Sequence, residues 1–377
     1  MARVVVRPVE TRSERKRFVR LAWRIYREDP HWVPPILHEQ DERLGFRPHP
    51  FYKRARAKSF LVTRGAVDVG RITAIVNDAH NERHGESRGF FGFFECEDDS
   101  EAARALFEAA RGWLHDQGMT CVRGPMNPSQ NYECGLLVDG FDSSPMFMMT
   151  YNPRWYERLI QENGFVKAQD LYAFWGETPM LETIDRKIVD MAKEIRERLE
   201  VDVRTLDTKR FEEGVRVYFE VYNASLTTTW GFVPFSEQEI RHLSRGLKWL
   251  IDPKLAIVAE VKGRPIGTTF CLLDYNPRIR EIGGRLFPFG FLKLLWNRRA
   301  IKNMRVVTAN VTPEYQAWGV GLVLVSSLVP RVLEWGIREA EFSWVLESNH
   351  LSRKTLERGG AIRYKTYRVY QDDPPTT

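Results

Sequence analysis

Residues 305–322, Arg305-Val306-Val307-Thr308-Ala309-Asn310-Val311-Thr312-Pro313-Glu314-Tyr315-Gln316-Ala317-Trp318-Gly319-Val320-Gly321-Leu322, decide how the rest of the chain is read. Arg305 to Val311 is β-branched and apolar, which predicts a strand, and Thr312-Pro313-Glu314 predicts a loop. From Gln316 the sequence passes through Gly319 and Gly321 into an apolar run ending near Val329, which predicts a helix. Glycines at a strand-to-helix turn let backbone approach an anion closely. The new helix adds unpaired N–H groups and the positive end of its dipole. Such a turn can cradle a phosphate, although a bare pair of glycines is also a common structural device.

Outward from this stretch the chain repeats itself. Val4-Val5-Val6-Arg7-Pro8-Val9-Glu10-Thr11 matches Val201-Asp202-Val203-Arg204-Thr205-Leu206-Asp207-Thr208, an offset of 204 − 7 = 197 residues. Each string leads into a charged helix. The register persists: Trp32-Val33-Pro34-Pro35 falls near Trp230 to Pro234, and Gly70-Arg71-Ile72 falls on Gly267-Thr268-Thr269 inside predicted strand pairs. Several matches in one register argue for duplication. The fold class is therefore α/β, as tandem lobes that each carry a mixed central sheet flanked by helices. The boundaries are 1–178 for the first lobe, 179–200 for a linker helix and 201–377 for the second lobe. Glu182 to Leu199 is amphipathic and charge-rich, and reads as a solvated spacer.

The lobes differ where a ligand would sit. The first lobe's aromatic strand, Gly89 to Cys96, is followed by Glu97-Asp98-Asp99-Ser100-Glu101 at the position of the second lobe's glycines. Acidic residues suit a helix N-terminus but repel a pyrophosphate, so the first lobe is expected to hold no such cofactor. Met119 to Tyr156 is a long Gly-, Pro-, Asn- and Met-rich loop. Asn127, Asn131, Glu133 and Asp139 lie there among apolar neighbours, suiting either a substrate pocket or a packed connection. In the second lobe, Asn276 to Arg305 departs from the repeat. It crowds Phe287, Phe289, Phe291, Leu292, Leu294, Leu295 and Trp296 ahead of Arg298, Arg299, Lys302 and Arg305. Apolar residues followed by cations suit a membrane surface; buried packing would use the same apolar side chains.

Taken together, Gln316-Ala317-Trp318-Gly319-Val320-Gly321 after a strand, with Pro313 and Tyr315 upstream, resembles the pyrophosphate loop of the GNAT acyltransferases. Asn349, Ser352 and Gly360 similarly resemble the closing Asn-helix-Gly segment of that family. The resemblance implies acyl transfer from acyl-CoA to an amine. It implies that Asn310, Val311, Thr312, Gln316, Ala317, Trp318, Gly319, Val320, Gly321, Leu322, Asn349 and Ser352 hold the acyl-CoA, with a backbone N–H near Val311 facing the developing oxyanion. Glu347, at a predicted strand end, is the first candidate base, with Asn349 beside it; a surface ion pair is its other reading. Family members often carry a tyrosine acid in the closing helix, where this chain has Leu356. Tyr364, Tyr367 or Tyr370 would replace it, Tyr367 first, or water would. Asn127, Asn131, Glu133 and Trp230 are the substrate-side candidates. The whole-chain pattern is similar to a bacterial tandem-lobe group that includes the ceramide synthases, which implies a long-chain lipid amine as acceptor.

Composition agrees with this reading without deciding it. The chain has 377 residues, 43% hydrophobic and 28% charged, with a formal charge of +6 and a pI near 9.1. That is ample material for a core. The mild positive charge suits an anionic cofactor or an acidic membrane surface, and nucleic acid is not the expected partner. Cys96, Cys121, Cys134 and Cys271 are widely spaced, so reduced thiols and no metal are expected. Met1 to Glu10 lacks a signal peptide's apolar core and no run is long enough to span a bilayer. The expected setting is cytoplasmic, resting on the inner face of the plasma membrane through Phe287 to Arg299. The competing reading is a catalytically inactive GNAT-like module that binds a ligand, a protein or nucleic acid.

Overall fold

A computed structural model describes residues 2–182, 186–207 and 209–372; Thr208, which closes the repeated string, and part of the 179–200 segment lie outside them. The chain is mixed α/β and forms two compact units that exchange segments. One comprises Met1–Leu171, Asn276–Phe291 and Lys365–Thr377, and the other Tyr172–Tyr275 and Leu292–Tyr364. Compactness thus groups residues differently from a cut of the chain at 178 and 201.

In the first unit, Val4–Pro8, Ala55–Arg64, Val67–Asn77 and Arg88–Cys96 form an antiparallel succession. Cys121–Gly124 then joins Arg88–Cys96 in parallel. A parallel step needs a crossover, which the helix Ser100–Asp116 supplies. Its Ala102, Ala103, Leu106, Phe107, Ala110 and Leu114 recur at three- and four-residue spacing and are all buried, among Phe91, Phe94, Ile72 and Phe165. Asp99 caps this helix, its side chain accepting from the Ala102 N–H. Two segments distant in sequence complete the unit. Tyr370 pairs antiparallel with Gly124, and Thr366 with Asp139. Asn276 Nδ2 donates to the Pro145 carbonyl at 2.7 Å, and the Leu37 N–H to the Gly284 carbonyl at 3.0 Å. Gly284 has a φ of +73°, and a Cβ there would come within 2.1 Å of the Pro35 oxygen, so no side chain fits.

The second unit repeats this plan. Val201–Thr205, Ala256–Val261, Arg264–Leu273 and Asn303–Val311 are successively antiparallel, and Glu339–Leu346 is parallel to Asn303–Val311. The crossover is the helix Val320–Trp335. The expected solvated spacer is a packed element: in the helix Arg186–Arg198, Ala192 and Ile195 are buried. Its charged residues cover one face, and charge content alone hides the few apolar positions that dock.

Phe287, Phe289, Trp296 and Leu292 expose 77%, 73%, 78% and 54% of their surface, whereas Leu294 is buried. The alternative in which these aromatics fill a core is therefore set aside. Trp249 is also exposed, and its carbonyl accepts from Arg298 Nη1 at 3.2 Å. Among the described residues, no helix is long and apolar enough to cross a membrane.

Candidate functional site

In the second unit two strands part. Asn303 lies opposite Glu339, the pairing runs to Val306 opposite Phe342, and it stops there. On its other edge, Asn303–Val311 stays paired with Arg264–Leu273 up to Val311 opposite Gly267, after a bulge that leaves Val307 unpaired. The Thr312 N–H donates to the Ile266 carbonyl at 2.9 Å. In an antiparallel ladder, neighbours bonded to one side leave the intervening residue's N–H and C=O facing the other. Val311 therefore turns both groups toward the gap between the parted strands. Gln316 Nε2 donates to the Val311 carbonyl at 2.9 Å, folding the loop onto the strand end. The Val311 N–H faces the gap.

One helical turn, Pro313–Gln316, follows. Gly319 then takes a left-handed φ of +78° and caps the helix Val320–Trp335. A Cβ on Gly319 would come within 2.7 Å of Ile195 Cδ1, whereas one on Gly321 meets nothing within 4 Å. Glycine is thus required at the first position by conformation and space, while the second leaves open room before the helix. Val320 and Gly321, at the helix start, have no intrahelical acceptor for their N–H groups. Ala317 and Trp318 are exposed and Leu322 is half-buried; the Arg198 guanidinium lies 5.9 Å from the Trp318 ring centroid. Just upstream, Asn310 Nδ2, Thr312 Oγ1 and Thr268 Oγ1 are buried without a hydrogen-bond partner. Buried polar groups are normally paired, so three orphans beside the loop mark where a polar ligand fits.

The other expected residues divide between the units. Glu347 is half-buried just past the Glu339–Leu346 strand, its carbonyl accepting from Arg353 Nη1 at 2.9 Å. Asn349 is exposed and caps the helix His350–Arg358, its Oδ1 accepting from the Ser352 N–H at 3.1 Å. Trp230 is half-buried in the turn after the helix Phe211–Ser225. These belong to the second unit with residues 310–322. Tyr367 is fully buried in the first unit, its Cβ packed against Gly135. Asn127, Asn131 and Glu133 are half-buried in that unit too. Asn127 Oδ1 accepts from the Phe93 N–H at 2.6 Å, and Glu133 pairs with Arg43.

A polar network that sequence reasoning missed begins one residue before the strands part. Arg305 and Glu341 lie opposite each other on neighbouring strands, their side chains 4% and 0% exposed and 3.7 Å apart. Ser343 Oγ donates to Glu341 Oε1 at 2.5 Å, Arg305 Nε donates to Ser343 Oγ at 2.9 Å, and the Tyr364 hydroxyl donates to Glu341 Oε2. The one available signal was a charge inside each of two otherwise strand-like runs. Beside it, the Tyr218 hydroxyl pairs with Thr308 Oγ1 at 2.5 Å and is held well above its usual range by burial.

The first unit has the same strand geometry but closes it. Gly70 lies opposite Cys96, as Gly267 lies opposite Val311, and the Glu97 N–H donates to the Val69 carbonyl at 2.9 Å. The Cys96 edge is occupied: its N–H donates to the Tyr156 hydroxyl at 2.9 Å, and its carbonyl accepts from Trp155 Nε1 at 3.0 Å. Where the second unit leaves Thr268 and Asn310 unpartnered, the first has Arg71 opposite Glu95, 3.4 Å apart. Asp99, at the helix start, is held by Arg64 Nε at 2.9 Å.

No protein-family model matches the chain. It is 36% identical over 374 residues to the bacterial ceramide synthase of Caulobacter vibrioides, covering 97% of this chain and 96% of that one. It is 33% identical over 373 residues to protein YghO of Escherichia coli, covering 97% and 95%. Among solved structures, a tandem GNAT protein from the clavulanic acid biosynthesis pathway aligns with a TM-score of 0.57 at 12% identity, over 99% of this chain and 100% of that one. A GCN5-related N-acetyltransferase from Sphaerobacter thermophilus aligns with a TM-score of 0.52 at 13% identity, over 98% and 95%. These two likenesses show the fold. The chain belongs to the tandem-lobe GNAT family of N-acyltransferases that includes the bacterial ceramide synthase of Caulobacter vibrioides.

Proposed function

We propose that the chain takes an acyl group from an acyl-CoA thioester in the second unit and passes it to the amine of a long-chain lipid at a membrane surface, on the cytoplasmic side of the plasma membrane. The observation that carries the reading is the Val311 edge: an amide facing a gap between parted strands, three orphaned buried polar groups beside it, and a glycine-capped helix start next in sequence. The N–H groups of Gly319, Val320 and Gly321 suit the pyrophosphate, and Asn310, Val311 and Thr312 suit the amide-bearing arm. The N–H at Val311 suits the thioester oxygen as charge builds on it; one such donor is worth roughly 3 kcal/mol of barrier.

The attacking amine must lose a proton and the departing thiolate must gain one. Glu347 stays the base candidate at the strand end. For the acid, Tyr364, half-buried and hydrogen-bonded to a carboxylate beside the parting point, suits the task better than Tyr367 in the core of the first unit. The lipid acceptor is supported by the named activity of the Caulobacter relative and by the exposed Phe287, Phe289, Leu292 and Trp296 with Arg298 and Arg299 behind them.

Gly321→Glu tests the cofactor half. Its Cβ has free space, so the variant folds, while the carboxylate opposes a pyrophosphate. The expected result is wild-type melting with CoA affinity lowered at least tenfold and release of free thiol from acyl-CoA abolished. Unchanged CoA affinity would overturn the reading and favour a ligand-binding module without acyl-transfer activity.

A further inference from the structure

Two neighbouring side chains in the second unit lie side by side without bonding. Thr268 is opposite Asn310 on the adjacent strand. Among the described residues, Thr268 Oγ1 and Asn310 Nδ2 have no hydrogen-bond partner, although the two residues are only 0% and 7% exposed. Buried polar groups are normally bonded. At the corresponding positions of the first unit stand Arg71 and Glu95, which close on each other at 3.4 Å. The shorter Thr268 and Asn310 leave both groups for a third partner.

Alternation along the strand says which side that partner occupies. A Cβ on Gly267 would meet Leu324 Cδ1 at 3.1 Å, so Gly267 faces the helix Val320–Trp335. Thr268, next in the strand, faces the other way. Phe270 follows on that side, its ring centroid 5.3 Å from that of Tyr218 in the helix Phe211–Ser225. Thr308, opposite Phe270, bonds the Tyr218 hydroxyl. A cavity of about 20 Å³ adjoins these residues, lined chiefly by Leu206, Val215, Tyr218, Leu247, Val258 and Phe270. Val258 is the other ladder neighbour of Thr268. A water needs several polar partners, and these walls are apolar. An unbonded amide, an unbonded hydroxyl and an adjoining apolar hollow together suit a hydroxyl carried on a hydrocarbon.

Asn310 directly precedes Val311, whose N–H suits the thioester oxygen. The carbons next to that carbonyl are therefore tethered one peptide away from the Asn310 side chain, whereas an arriving acceptor has no such tether. We propose that the second unit selects an acyl group bearing a hydroxyl on its second or third carbon. Its oxygen accepts from Asn310 Nδ2, its proton goes to Thr268 Oγ1, and the adjoining carbon enters the apolar cavity. This rests on the acyl-transfer reading and adds to it which acyl group is taken.

Calorimetric titration of the full chain with CoA, butanoyl-CoA, and both enantiomers of 2-hydroxybutanoyl-CoA and 3-hydroxybutanoyl-CoA tests the proposal. One hydroxylated thioester should bind at least tenfold more tightly than butanoyl-CoA, because a site built to bond a hydroxyl rejects the analogue lacking it. Thr268→Val removes the unbonded hydroxyl and nearly keeps the shape. Without ligand its melting temperature should equal or exceed the wild-type value; a fall would mean that the hydroxyl is already bonded in the free protein, and would count against the proposal. Its CoA affinity should be unchanged and its preference should shrink below threefold, and Asn310→Leu should lose the preference too. Equal affinity for butanoyl-CoA and every hydroxylated thioester, or the wild-type preference in either variant, would overturn the proposal while CoA binding, and the acyl-transfer reading with it, stands. Failure of CoA itself to bind would remove both.

Discussion

The Cys96 N–H donates to the Tyr156 hydroxyl over 2.9 Å, closing in the first unit the strand edge that Val311 leaves open in the second. Together with the Trp155 indole on the Cys96 carbonyl, that hydroxyl separates two copies of the same strand geometry. Tyr156 is fully buried, and its hydroxyl both accepts from Cys96 and donates to Glu95 at 2.7 Å. Tyr156→Phe should therefore cost about 1–3 kcal/mol of stability, because a buried amide and a buried carboxyl each lose a partner. Urea unfolding monitored by tryptophan fluorescence measures the loss, and CoA affinity should stay at the wild-type value.

The two tyrosines considered as acids should separate kinetically. Tyr364→Phe removes the hydroxyl bonded to Glu341 and should lower kcat about a hundredfold, within the usual range for general acid catalysis, with KM for acyl-CoA little changed. Tyr367→Phe, in a fully buried position, should act on stability and leave kcat near wild type. A normal kcat in Tyr364→Phe would remove that residue from the mechanism.

Acid should destabilise the protein in two steps. Burial lowers His80 from 6.5 to about 4. Below pH 6.5 the unfolded chain takes up a proton that the folded chain refuses, so stability falls as pH drops toward 4, by about 3 kcal/mol in total. Burial raises Glu86, but hydrogen bonds from Arg88 and His80 outweigh it and lower the carboxyl from 4.5 to about 2. Its contribution is complete above pH 4.5 and disappears between there and 2. His80→Gln should flatten the upper limb in a series of urea midpoints, while the lower limb persists to the extent that Arg88 alone holds Glu86 down.

The exposed aromatics should govern membrane association. Removing Phe287, Phe289 and Trp296 together, as serines, deletes side chains each worth roughly 1.5–3 kcal/mol when buried in an apolar phase. Co-sedimentation with vesicles containing anionic lipid should fall more than a hundredfold while acyl transfer to a short soluble amine persists. Wild type that stays in the supernatant would assign these residues another partner.

Much of this was legible before the fold was known, for local reasons. Gly319 must be glycine because its backbone is left-handed and Ile195 leaves no room. Gly70 and Gly267, read 197 residues apart, sit opposite Cys96 and Val311 at corresponding places. What escaped was long-range. The Trp155 and Tyr156 bonds to Cys96 are side chain to backbone across about 60 residues, and such bonds leave no periodic trace. The helix Arg186–Arg198 reads as solvated because the buried Ala192 and Ile195 are outvoted by its charges. Arg305, read among the cations behind the aromatic run, is instead buried against Glu341, a pairing that only the adjacency of their strands reveals.

The strand Ile362–Gln371, whose residues from Lys365 on complete the first unit, has a consequence for how the protein is made. Leu171 leaves the ribosome 365 − 171 = 194 residues before Lys365 does, so the Cys121–Gly124 edge waits uncovered through most of translation. Such an edge invites pairing with a neighbouring nascent chain. Synthesis rate and chaperone supply, rather than the stability of the finished protein, should then set the yield of soluble product.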